Sequence, residues 1–234
     1  MLKTIECVIV ANSGQRRMQA SWGPRFLMVK SPGRNRLIGS LSDRNSMGVN
    51  DDEWEEIDNA RAVALSSVLG EIDEGVFHSP HPFSLGGNAD VRAFHKHIAG
   101  VVYVTTELTG KPDACYADYE LMICHRKDTN WGPNVISRLA PYTQTAYIGG
   151  GETMDIALSA PRNSTIVAFL FDTYDTFSLF GHRFELRLCI GITQLELDFK
   201  MKTDGPTLKA LLQQYSVYPF TDLHRDSIPL PKIG

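Results

Sequence analysis

Long hydrophobic runs are missing from this sequence. The longest candidate, Ile166 to Phe171, spans six residues, against the about 20 that a membrane-spanning helix needs, so a soluble protein with no membrane partner is expected. Cysteine is scarce as well. Cys7, Cys115, Cys124 and Cys189 are the four present and none forms a CxxC pair, which excludes a disulfide scaffold and a paired-cysteine zinc module. No secretory signal is visible, because the apolar run Cys7 to Ala11 is too short for one. Reduced thiols in a cytoplasm are the expectation. The 19 Gly and 12 Pro follow no period, which excludes collagen-like and low-complexity chains. A large excess of one charge is also absent. A net charge of -4 with 43% hydrophobic residues excludes intrinsic disorder.

What is present is an uneven charge distribution. Residues 1–50 sum to +6, residues 51–74 to -8, and the remainder to -2. The bases of the first segment are scattered rather than clustered, and the whole chain is acidic, so nucleic acid is not the expected partner. A basic arm folded against the acidic stretch, or an acidic stretch solvated on one helix face, are the simpler readings.

Periodicity then organises the chain. Strands are predicted over residues 4–11 and 26–30, joined by a polar segment and followed by a loop over Gly33 to Asn50. Asn50 caps a predicted helix whose acids suit the positive end of its dipole, with Trp54, Ile57, Arg61, Ala64 and Val68 recurring on one face until Gly70 stops it. Strands follow at 76–78, 89–94, 101–108 and 119–125; Val101 to Thr106 is β-branched and aromatic throughout, which places it in the middle of a sheet. A helix begins after Trp131 and repeats Val135, Leu139, Tyr142 and Ala146, and the glycines 149–151 end it. Strands at 165–171 and 182–189 flank a turn, and the chain beyond Thr193 is helical, with an irregular proline-containing tail after Tyr218. The sum is an α+β (mixed α/β) fold: a central mixed sheet flanked by helices over residues 51–234, with residues 1–50 as an N-terminal basic extension.

Chemistry is thin. His95 and His97 would share a face on a strand, and Cys124 adjoins His125, but no further ligand pair completes a zinc site, so no metal and no cofactor are expected. No GxSxG elbow exists, and Cys124 and Cys189 fall in apolar strands as structural thiols. Asp172 and Asp175 flank Thr173-Tyr174 after an apolar strand and form the one candidate general acid/base pair; turn hydrogen bonding explains them equally well. An enzyme or small-molecule-binding protein centred there is one alternative, and a nucleic-acid-associated regulator acting through the basic arm is another.

A longer pattern runs through residues 82–228. It comprises Pro82-Phe83-Ser84-Leu85-Gly86-Gly87, Tyr103-Val104-Thr105-Thr106-Glu107-Leu108-Thr109, Tyr119-Glu120-Leu121, Trp131 with Leu139-Ala140-Pro141-Tyr142, Gly150, Phe180-Gly181, Gly191-Ile192-Thr193 with Glu196-Leu197, Leu208 to Leu212, and Thr221-Asp222-Leu223-His224-Arg225. This ordered set resembles the suppressor-of-fused domain family. The resemblance implies a non-enzymatic domain that captures a protein partner at a strand edge or cleft. The animal protein of the family sequesters a transcription factor with the help of a second domain, which a chain of this length is expected to lack. Stand-alone members look like bacterial immunity proteins, so a cognate toxin is the implied partner. Tyr103, Thr105, Tyr119, Glu120, Leu121, Trp131, Leu139, Ala140, Tyr142, Gly181, Gly191, Glu196, Asp222 and Arg225 are the motif positions, expected to be architectural rather than catalytic. Trp131 and Tyr142 should share a helix face, Glu120 should point away from Tyr119 and Leu121, and Asp222 and Arg225 should pair or close the C-terminal segment.

Overall fold

In Tyr119-Glu120-Leu121-Met122-Ile123-Cys124-His125 every residue is buried, yet the side chains alternate between two different cores. A strand covered on both faces demands this pattern, and it organises the molecule. The computed structural model describes residues 4–11, 14–21, 29–32, 51–111 and 115–232. Its strands are β1 (Thr4–Ala11), β2 (Gly14–Ser21), β3 (Val29–Pro32), β4 (Gly75–His78), β5 (Val91–Phe94), β6 (Val101–Thr105), β7 (Tyr119–His125), β8 (Thr153–Asp155), β9 (Ile166–Leu179) and β10 (His182–Thr193). Its helices are α1 (Asp51–Leu69), α2 (Trp131–Thr143), α3 (Gln194–Lys202) and α4 (Gly205–Gln214).

The strands form one sheet in the order β2-β1-β8-β9-β10-β7-β6-β5-β4-β3. The β7–β10 pair is parallel and its neighbours are antiparallel, so the α+β fold with a mixed sheet holds. Tyr119, Leu121 and Ile123 face α2 and join Val135, Ile136, Leu139 and Ala140 in one core. Met122 and Cys124 face the other side, where Leu65 and Leu69 of α1 meet Phe199, Leu208 and Leu212 of α3 and α4. β10 alternates likewise, with Cys189 on the α2 side and Leu186, Leu188, Ile190 and Ile192 opposite.

Several elements differ from the sequence reading. The region after Phe171 is not a turn: β9 continues to Leu179 and pairs with β10 through the two-residue turn Phe180-Gly181. Both turn residues have positive φ, 49° and 77°, the backbone that matches strand twist in a tight hairpin, which accounts for Gly181. The polar segment after residue 11 contains β2, antiparallel to β1, and β1 reaches the body of the sheet through β8. β3 pairs with β4 at the opposite end. The strand proposed at 26–30 is described only from Val29; the Gly33 to Asn50 loop, the Asn50 cap and the side chains of the basic arm lie outside the described residues.

Candidate functional site

The alternation of β7 drives one carboxylate into the α1-side core. Glu120 is fully buried there, facing Arg61, which the helical period had already placed on the inward face of α1. Arg61 Nε lies 3.6 Å from Glu120 Oε1 and donates to the Thr109 carbonyl at 3.0 Å, while Nη1 donates to the Thr106 carbonyl. Glu120 accepts from the Thr105 hydroxyl (2.6 Å), the Thr109 hydroxyl (2.8 Å) and the amides of Leu108 and Thr109 (3.1 and 2.9 Å). Burial pushes the carboxyl up from its ordinary value, and Arg61 with the surrounding donors opposes that shift. The pair ties α1, the 105–109 segment and β7 together.

A second buried pair ties down the C-terminal tail. Glu196, in the first turn of α3, accepts from the Thr193 amide at 2.9 Å and from the Ile228 amide at 3.0 Å. Arg225 grips it bidentately at 2.5 and 2.6 Å and donates to the Gly191 carbonyl at 2.9 Å. The partner of Arg225 is therefore Glu196 and not Asp222, whose carboxylate instead accepts from the His224 amide at 3.0 Å; the fork of the guanidinium matches a carboxylate brought in from α3. Thr221 lies against β10, accepting from the Gly191 amide at 2.8 Å and donating to the Cys189 carbonyl at 3.1 Å. A Cβ on Gly191 would sit 2.7 Å from the Thr221 methyl group, so the close approach explains that glycine.

On the α2 side, Trp131 Nε1 donates to the Ser159 carbonyl at 3.1 Å, and its ring contacts His125 and Phe169. Trp131 and Tyr142 both pack against the same core. Tyr103 donates to Asp128 at 2.9 Å. The Tyr119 hydroxyl accepts from the Ile148 amide at 3.2 Å.

His95 and His97 do not share a face. Residues 95–100 are bends beyond the end of β5, so the same-face rule for strands does not apply. His95 is clamped between Asp73 (2.6 Å) and Asp128 (2.8 Å), while His97 meets the Tyr174 hydroxyl at 2.9 Å. His95 is raised, the two aspartates outweighing a burial effect that acts to lower it. Cys124 and His125 point to opposite faces, and burial lowers His125 to about 4. Burial raises the thiols of Cys124 and Cys189. Among the described residues no group of three or more His, Cys, Asp or Glu could hold a metal ion.

The two aspartates of β9 are likewise separated. Asp172 is held by Lys209 at 2.6 Å and accepts from the Tyr218 hydroxyl at 3.2 Å. Asp175 is exposed and accepts from the adjacent Thr176 amide. Five of the nine acids of the 51–74 stretch are paired within the fold. Glu53 and Glu56 share Lys111, Asp58 meets Arg61 and Arg92, Glu71 meets Lys96, and Asp73 meets His95.

One cluster escaped the sequence reading. Arg187, only 1% exposed, donates to Glu185 (2.6 Å), Thr173 (3.2 Å) and the Tyr147 hydroxyl (3.3 Å), and lies over the rings of Tyr119 and Tyr147. The signal was there: in Glu185-Leu186-Arg187 the opposite charges stand two apart, hence on one face of a strand otherwise apolar. Beside this cluster a cleft of about 330 Å³ opens between residues 116–119 and 143–147.

No protein-family model matches the chain, and no curated protein does. Solved structures do. A SUFU (suppressor of fused protein) homologue from Neisseria gonorrhoeae FA 1090 aligns with a TM-score of 0.58 at 17% identity, over 76% of this chain and 100% of that one. The Sufu–Fu complex aligns with a TM-score of 0.51 at 11% identity, over 73% of this chain and 91% of that one. Among the described residues no helix is long and apolar enough to cross a membrane. The shared architecture makes this chain, in its fold, a suppressor-of-fused-like domain.

Proposed function

We infer that the domain is a non-enzymatic protein-interaction module of the suppressor-of-fused type, and that its partner is a toxin which it neutralises in a bacterial cytoplasm. The observation that carries this reading is the fold likeness, which extends over all of a bacterial SUFU homologue and most of a chain solved as a Sufu–Fu complex. The polar chemistry favours binding over catalysis. Glu120 and Glu196 are spent on Arg61 and Arg225, and their remaining lone pairs on backbone amides and hydroxyls. A carboxylate saturated by its own fold makes a poor general base. Asp172 is spent in the same way on Lys209.

The 51–74 stretch offers a basic toxin less docking charge than its composition suggests, because five of its nine acids already have basic partners within the domain. Recognition then rests on shape and local chemistry elsewhere on the surface. The test is affinity capture of the tagged full chain from its native cells, mass-spectrometric identification of what is bound, and co-expression of chain and partner. The expected result is one stoichiometric partner that arrests growth alone and is silenced by this chain. Repeated capture of nothing at low salt and native abundance would overturn the interaction reading, and a harmless partner would overturn the immunity role alone.

A further inference from the structure

The cleft between 116–119 and 143–147 combines three features that single-purpose architecture does not require. Tyr116, Tyr119 and Tyr147 line it. Tyr147 is 60% exposed, a large ring left in water. Its ring stands 5.8 Å from Tyr119, edge to face. Asp118 at the rim is exposed, and its carboxylate has no hydrogen-bond or ion-pair partner among the described residues. Finally, both rings already accept one guanidinium, that of Arg187, from the protein side.

We propose that this cleft receives a lysine or arginine side chain of the protein partner, seated against the exposed ring of Tyr147, which stands on the buried Tyr119, and paired with Asp118. Aromatic faces and a carboxylate are the two groups that bind an alkylammonium or guanidinium in a partly dry site. An anionic occupant is disfavoured. Asp118 would repel it, and the Arg187 guanidinium is already neutralised by Glu185. Asp118 and Glu185 against Arg187 leave the surroundings one charge negative, which complements a cation. Burial, and then the field of Asp118, also push the Tyr147 hydroxyl up, in keeping with negative potential at the rim. A volume of about 330 Å³ accommodates one long side chain of a partner.

This inference rests on the protein-partner reading, and a small probe separates the two. N-acetyl-arginine amide is titrated into the full chain carrying ¹³C-labelled tyrosine rings, with N-acetyl-glutamate amide as the control. Saturable shifts of the Tyr119 and Tyr147 resonances with the arginine probe alone are expected. Asp118→Asn should weaken the dissociation constant by about threefold, the scale of an exposed ion pair, and Tyr147→Ala should remove saturation. Asp118→Asn alters an exposed side chain alone, whereas Tyr147→Ala also takes an acceptor and a ring from the buried Arg187, so amide spectra check the fold of both variants and Asp118→Asn carries the test if Tyr147→Ala is perturbed. Equal shifts from the glutamate probe, no saturation with arginine, or an Asp118→Asn constant equal to wild type would overturn the proposal. Such a failure leaves partner capture by the wild-type chain intact, whereas absence of any partner leaves the arginine titration intact.

Discussion

Arg61→Met removes the counter-charge of a fully buried carboxylate while keeping most of the side-chain volume. Glu120 would retain its donors from Thr105, Leu108 and Thr109, but the carbonyls of Thr106 and Thr109 would lose theirs. Breaking a buried pair from one side costs about 3–5 kcal/mol, a large share of the about 5–15 kcal/mol that holds a domain folded. The assay is urea unfolding of wild type, Arg61→Met, Glu120→Met and the double variant. The double should be less unstable than the two single losses together by about 1–3 kcal/mol, since the uncompensated charge has gone. The pH dependence has a defined sign. Burial already raises Glu120, and without Arg61 it rises further, so the native state holds a proton that the unfolded state, near about 4.3, has lost. That contribution is present at low pH and lost as pH rises, so the deficit of Arg61→Met should narrow as pH is lowered from about 7. A loss under about 1 kcal/mol at pH 7, or a fully additive double variant, would refute the account of this pair.

His125 gives a second pH effect of opposite direction. Its value falls from 6.5 to about 4 through burial, so the unfolded state binds the proton first and stability should drop by about 3 kcal/mol as pH falls from 6.5 to 4. Denaturation of His125→Asn against wild type across that window should show the His125 share of the slope removed. Gly191→Ala forces a methyl group to within 2.7 Å of Thr221 Cγ2 and 2.9 Å of Ile166 Cγ2, and overpacking of that kind costs about 1–3 kcal/mol, read as a lower Tm. Gly181→Ala meets open space but must hold φ near 77°, so its cost should be about 1 kcal/mol. Arg225→Ala should release residues 221–228 in amide hydrogen exchange while β7 keeps its protection, because Glu196 anchors that tail through the Arg225 fork and the Ile228 amide.

Local pattern was enough for much of this molecule. β6 lies in the β-branched and aromatic run that begins at Val101, inside the sheet, and α1 carries Ile57, Arg61 and Ala64 inward at helical spacing. These features depend on neighbours within one turn or one strand, where periodicity is a sufficient signal. The hairpin at Phe180-Gly181 was less legible, because Asp172, Thr173 and Asp175 interrupt the apolar run of β9 beside an irregularity opposite Leu186 and Arg187; a bulge resets the alternation that marks a strand.

The pairings between distant segments belong to tertiary structure. Arg61 meets Glu120, Arg225 meets Glu196 and Lys209 meets Asp172 across long stretches of chain. Charge composition alone cannot choose among such partners, since every acid is compatible with every base until a sheet and its covering helices bring two of them within hydrogen-bond reach. The same holds for the separation of His95 from His97 and for the cleft lined by Tyr116, Tyr119 and Tyr147. Sequence spacing put two histidines on one face, but the chain leaves its strand at Phe94 and the rule for strands ends there. The tyrosines come from the start of β7 and the turn after α2, and packing α2 onto the sheet is what sets their rings around one opening.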